Sequence, residues 1–66
     1  MSVAKVIEIT AASGESFEDA IRSGIAKAAE TVDHIEGAWV KEQKVIVRDG
    51  SVAEYRVDLK VTFVLG

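Results

Sequence analysis

The chain has 66 residues, with eleven acidic and eight basic side chains, a formal charge of -3, no Cys and one His. That excludes disulfides and thiolate metal sites, and the lone His34 cannot build a histidine metal centre. A net-negative chain without a basic run also lacks the electrostatic footprint of a nucleic-acid binder.

A chain this short buries only about 60% of its unfolded surface. Oligomerisation or a well-packed small core must supply the remaining stability. No apolar stretch is long enough to span a membrane, and the N-terminus lacks a signal-peptide pattern. The expectation is a soluble, cytoplasmic protein with one domain over residues 1–66, free of membrane and nucleic-acid partners.

Val3 to Thr10 reads as a first strand. Val3, Lys5, Ile7 and Ile9 share one face, and Ala4, Val6 and Glu8 share the other. Apolar groups on both faces suit a central or interface strand. Ala11 to Glu15 is a short connection with Gly14 as its flexible point.

Ser16 then caps a helix, and Ser16 with Asp19 has capping-box-like spacing. Phe17, Ala20, Ile21, Gly24, Ile25, Ala28, Ala29 and Val32 form one apolar stripe at i, i+3, i+4 spacing. Gly24 inside that stripe costs about 1 kcal/mol relative to Ala, which points to close packing of helix on sheet. His34 follows the helix and suits its C-terminal carbonyls.

Ala38 to Phe63 reads as a long β-hairpin about Asp49-Gly50, a pair that favours the type I′ turn. Tyr55, Val57, Leu59, Val61, Phe63 and Leu65 alternate strictly with Glu54, Arg56, Asp58, Lys60 and Thr62. Counting back from the turn sets Val40 opposite Leu59 and Ala38 opposite Val61. On the polar side it sets Lys41 opposite Asp58, Gln43 opposite Arg56 and Trp39 opposite Lys60. It also puts Glu42 on the apolar side opposite Val57, so the strand has a bulge there, or that end is solvated or used in an interface.

The order β-α-β-β implies an α+β fold, a three-stranded antiparallel sheet packed on one helix. One helix covers one sheet face. The other, carrying Trp39, Val45 and Val47, is an expected interaction surface. No nucleophile elbow, phosphate loop or dinucleotide fingerprint occurs, nor does Ca²⁺-loop spacing, so an enzyme is not expected. Trp39, Gln43, Arg56 and Lys60 share the polar face in the counted register. An indole with directed donors suits a planar anionic ligand. The plainer alternative packs Trp39 at a subunit interface and pairs Arg56 with Asp58 or Glu54.

Several stretches carry a family resemblance. They are Val6-Ile7-Glu8-Ile9-Thr10, Ser16-Phe17-Glu18-Asp19-Ala20-Ile21, Thr31-Val32-Asp33-His34-Ile35 and, most specifically, Tyr55-Arg56-Val57-Asp58-Leu59-Lys60-Val61-Thr62-Phe63. Together they resemble the dodecins, small β-α-β-β proteins that form hollow homododecamers and bind flavins. The resemblance implies a non-enzymatic cage that holds flavin, FMN or riboflavin, by aromatic stacking. By count from Ile35, the family's stacking Trp falls at Gly37. Trp39 lies two residues later on the same face, about 7 Å along the strand. The family's ligand contact in the last strand falls at Arg56. The ligand residues implied are Trp39, Arg56, Gln43 and Gly37. Some relatives without that Trp are calcium binders or cages without a known ligand. The alternative reading is therefore a structural or calcium-binding cage.

Overall fold

The computed structural model describes residues 2–65. Four elements follow in the order β1 (Val3–Ser13), α1 (Phe17–Ala28), β2 (Ile35–Arg48) and β3 (Ser51–Leu65). They form the expected α+β arrangement, one antiparallel sheet in the order β1-β3-β2 with one helix. The cleanly alternating last strand is the central one. β1 is an edge strand, which excludes the central one of the two places, central or interface, that its pattern suited. It also runs three residues past Thr10, through most of the expected connection.

The turn forms as the Asp-Gly pair requires. Asp49 and Gly50 have φ of 52° and 77°, the left-handed values of a type I′ turn. Arg48 pairs with Ser51 across it.

Ser16 caps α1, its Oγ accepting from the Asp19 N–H at 2.9 Å. Asp19 does not complete the capping box by reaching back to Ser16. Its carboxylate accepts instead from the buried Ser13 hydroxyl at 2.6 Å, and Ser13 Oγ accepts from the Glu15 N–H at 2.9 Å. The end of β1 is thereby tied to the start of α1. The helix ends at Ala28, short of the apolar stripe's last member, Val32. The β-branched Thr31 and Val32 have weak helix propensity, and residues 29–32 close as a turn with N–H groups bonded to Ile25, Lys27 and Ala28 carbonyls. His34 takes a φ of 61°, and its carbonyl accepts from the Val64 N–H at 3.1 Å. That fixes the entry to β2.

The core is small. Ala20, Val57, Leu59 and Val61 are its fully buried hydrophobics, flanked by Ile7, Ile9, Phe17, Ile21, Ile25 and Ile35. Phe17 and Tyr55 meet edge to face, ring centroids 5.1 Å apart. α1 lies on β1 and β3, so almost all of β2 is exposed. The molecule measures 51 × 20 × 13 Å with a radius of gyration of 13.5 Å, against about 11 Å for a compact chain of this length.

Gly24 is the point of closest approach, as its place in the stripe suggested. A Cβ there would lie 2.9 Å from Ala11 Cβ and 3.5 Å from Leu59 Cδ1. Gly24→Val is therefore expected to cost about 1–3 kcal/mol by overpacking. Ala26→Val on the exposed side should cost only its helix propensity, about 0.5 kcal/mol. Urea denaturation of the two variants checks this, and equal losses would refute the close contact.

Candidate functional site

The sheet face away from α1 is uncovered, and its side chains line up in rows across the three strands. Val6, Thr62 and Gly37 make one row, and Glu8, Lys60 and Trp39 the next. Thr10, Asp58 and Glu42 follow, then Ala12, Arg56 and Lys44.

Three irregularities interrupt the β2–β3 ladder, one of them a surplus Glu36 between the Ile35–Phe63 and Gly37–Thr62 pairs. β2 has a surplus residue, Lys41, between the Val40–Leu59 and Glu42–Asp58 pairs. β3 has one, Ala53, between the Val47–Val52 and Ile46–Glu54 pairs. The counted register holds at Val47 and Arg48 and again from Gly37 to Val40, and is one residue out from Glu42 to Ile46 and at Ile35. Lys41 does not pair with Asp58, nor Glu42 with Val57. Gln43 pairs with Val57 rather than Arg56, so it belongs to the helix-side face and leaves the cluster expected for it. Val45, opposite Tyr55, changes face for the same reason. The physical cause is the unwelcome Glu42 carboxylate, which the bulge turns onto the open face.

The displaced Lys41 spans the central strand to β1. Its Nζ lies 3.3 Å from Glu8 Oε2 and 3.5 Å from Oε1. Asp58 sits beneath this link, with Oδ1 buried and without a hydrogen-bond partner. Desolvation first, and then hydrogen bonding to the Glu8 carboxylate, raise the Asp58 carboxyl above its ordinary value of 3.8. The Asp58 hydrogen bond and then the Lys41 ammonium lower Glu8, and Glu8 raises Lys41.

The two shifts have opposite linkage. The Asp58 contribution is fully present below its ordinary range and is lost as pH rises through its raised value. That of Glu8 is present above its ordinary range and is lost as pH falls through its lowered value. Asp58→Asn keeps a donor and removes the titration. The melting temperature of the wild type relative to Asp58→Asn is expected to fall as pH rises from about 4 to 7. A difference that stays flat or rises would refute the raised Asp58 carboxyl.

Beside this link lies a shallow cavity of about 240 Å³, lined by Thr10, Glu42, Lys44, Arg56 and Asp58, with Gln43 and Val57 completing it. Arg56 Nε donates to Glu54 Oε1 at 2.8 Å, one of the two ion pairs foreseen for it, and the guanidinium lowers the Glu54 carboxyl. Trp39 is 63% exposed on the edge strand. Gly37, one row away, has no atom within 4 Å of where a Cβ would stand. The structure thus keeps Trp39, Gly37 and Arg56 on one face and separates Gln43 from them. Glu8, Lys41 and Asp58 were not singled out as a group. Their alternation showed the face, but only the β1–β3 pairing brings Glu8 near Asp58.

No group of three or more His, Cys, Asp or Glu side chains among the described residues comes close enough to hold a metal ion. No described helix is long and apolar enough to cross a membrane.

Comparison with known proteins agrees with this architecture. The Dodecin family model matches residues 3–66. The calcium dodecin of Mycobacterium tuberculosis is 40% identical over 63 residues, 96% of this chain and 89% of the relative. Its crystal structure, described as that of a calcium-chelating immunodominant antigen with a novel calcium-binding site, has a TM-score of 0.82 at 39% identity, covering 94% of this chain and 89% of that one. The crystal structure of an arginine-to-alanine variant of Thermus thermophilus dodecin has a TM-score of 0.94 at 35% identity, covering 100% of this chain and 98% of that one. The matching stretch runs through every strand and the helix, and the chain belongs to the dodecin family.

Proposed function

We propose that this chain is the protomer of a non-enzymatic homododecameric cage that binds and sequesters a flavin, or a related planar small molecule, by stacking on Trp39. The observation that carries this reading is the indole itself. It is a large aromatic side chain, 63% exposed on the one sheet face that nothing covers, and exposed apolar surface of this kind marks a contact site.

The residues present fit a flat ring. Trp39 supplies the stacking surface, and the space over Gly37 extends it along the sheet. Lys60, opposite Trp39, places a cation beside the stack. Arg56 and Lys44, paired farther along the face, are donors for a phosphate or a ring carbonyl. Gln43, paired with Val57 on the helix-side face, takes no part. A bound flavin would bring a planar ring system whose excited state an adjacent indole quenches.

Assembly is supported by the size of the core and by the protomer's extended shape. With four fully buried hydrophobic side chains, the isolated protomer has little to offset its conformational entropy.

The test is titration of FMN and riboflavin with the purified protein, following flavin fluorescence, with molecular mass measured alongside. The expected result is quenching at micromolar protein and a dodecamer mass. A dodecamer that leaves the fluorescence unchanged overturns flavin binding.

The likeness to a calcium dodecin favours a second reading, a calcium-binding cage. No metal-holding group of three or more such side chains occurs among the described residues of one protomer, so the ligands would have to come from two or more copies. Calorimetry with millimolar Ca²⁺ on the assembled protein tests it, and absence of binding heat overturns it.

A further inference from the structure

We propose that Asp49 is a site of spontaneous main-chain modification, where the aspartate cyclises onto the Gly50 nitrogen and reopens as isoaspartate when the tip of the hairpin opens. The reaction is independent of any bound ligand.

The sequence offers one place for this chemistry. Asp49-Gly50 is its one Asp-Gly pair, and the chain has no Asn. Asp19, Asp33 and Asp58 are followed by Ala20, His34 and Leu59, whose side chains crowd the attacking nitrogen. Gly50 has no side chain, and no atom lies within 4 Å of where its Cβ would stand. A β-turn uses the N–H of its fourth residue, here Ser51, and leaves the nitrogen of Gly50 free. Arg48, Asp49, Gly50 and Ser51 are all exposed.

The step balances without a cofactor or an oxidant. The Gly50 nitrogen bonds to Asp49 Cγ, and the carboxyl hydroxyl leaves with the amide proton as water. That closes a five-membered succinimide. Water then adds back at either carbonyl. Opening at Cγ restores aspartate. Opening at the α-carbonyl leaves the chain running through the β-carboxyl, one methylene longer and with its mass unchanged.

The fold sets the rate. A type I′ turn, the mirror of type I, holds its first central residue at a ψ of about 30°. That points the Gly50 nitrogen away from the Asp49 Cβ, and the ring cannot close. The turn must open first, and here the sheet is at its thinnest. β1 pairs with β3 only as far as Ser13–Tyr55. From Ile46–Glu54 to the turn the hairpin therefore runs on without a third strand among the described residues. Val47 is 56% and Val52 48% exposed. A two-stranded ribbon is only marginally stable by itself. Isoaspartate, once formed, lengthens a two-residue turn. It releases Arg48–Ser51 and Val47–Val52, the pairs between the turn and the surplus Ala53.

Peptide mapping of the folded protein, kept for weeks in neutral buffer beside a synthetic peptide of residues 46–54, tests this. Isoaspartate is expected at Asp49 and at no other aspartate. It should form at most about 30-fold more slowly than in the peptide, because the ribbon is only marginally stable. Asp49→Glu, whose longer arm would have to close a six-membered ring, stays unmodified. A disulfide made by Val47→Cys with Val52→Cys, at a pair close enough to bridge, holds the tip shut. It is expected to slow conversion at least about 10-fold, and reduction restores the rate. Folded protein that forms no isoaspartate at Asp49 while the peptide converts overturns the site. Conversion at an unchanged rate with the disulfide closed overturns the requirement that the tip open.

Discussion

Leu59→Ala is expected to remove about 2–5 kcal/mol of stability and, with it, the assembled protein. Leu59 is wholly buried on the central strand. It lies between Ile9 on β1 and Val40 on β2, and its Cδ1 packs beneath Gly24. Nothing nearby can collapse into the gap, because the helix already stands as close to the sheet as its glycine permits. Domains have about 5–15 kcal/mol in total, and a protomer with so few buried side chains belongs at the low end. Urea denaturation with mass measurement reads the result. A loss below about 1 kcal/mol would show that the core sits elsewhere. Val40→Ala is the comparison. It shares the row but is 46% exposed, so in the protomer its loss is small, and a large loss in the assembly would place it at a subunit contact.

The second large effect is on binding. Trp39→Ala is expected to weaken flavin affinity by about 5- to 150-fold, the equivalent of 1–3 kcal/mol. Stacking of a nucleic-acid base on one aromatic side chain is worth about as much. The fold should be indifferent, because an exposed side chain away from the core contributes about 0.5 kcal/mol or less. Fluorescence titration of the variant, at a mass equal to the wild type, separates the two effects. Unchanged affinity would remove Trp39 from the site. Gly37→Trp is the complementary change. With no atom within 4 Å of where its Cβ would stand, Gly37→Trp is expected to tighten binding by adding a second stacking surface.

Much of this fold was legible in the residues. The Asp49-Gly50 turn, the alternation of residues 54–65, the Ser16 cap and the glycine within the helical stripe each state a backbone requirement, and each is met. The site was less legible. Counting from the turn brought Gln43 to Arg56, and the structure separates them. A surplus residue on one strand leaves no mark in side-chain chemistry unless it rescues a misplaced one. Glu42 on the apolar side was such a mark, and it pointed to the bulge at Lys41. The surplus Ala53, a small neutral residue comfortable on either face, gave no comparable sign. Pairing between β1 and β3 is set by a connection through the whole helix. The approach of Glu8 to Asp58 therefore could not be counted from any turn.

Lys41 and Ala53 have a consequence for chains of other lengths. Each stands outside the ladder, between two pairs that would be consecutive without it. Deleting either would leave every remaining partner in place, from Trp39–Lys60 down to Arg48–Ser51. Gaps of one residue at these two positions are thus neutral for strand pairing, whereas a gap anywhere else between them slides the rest of the hairpin by one residue. A relative shorter at Lys41 keeps the sheet and loses only the ammonium that spans it.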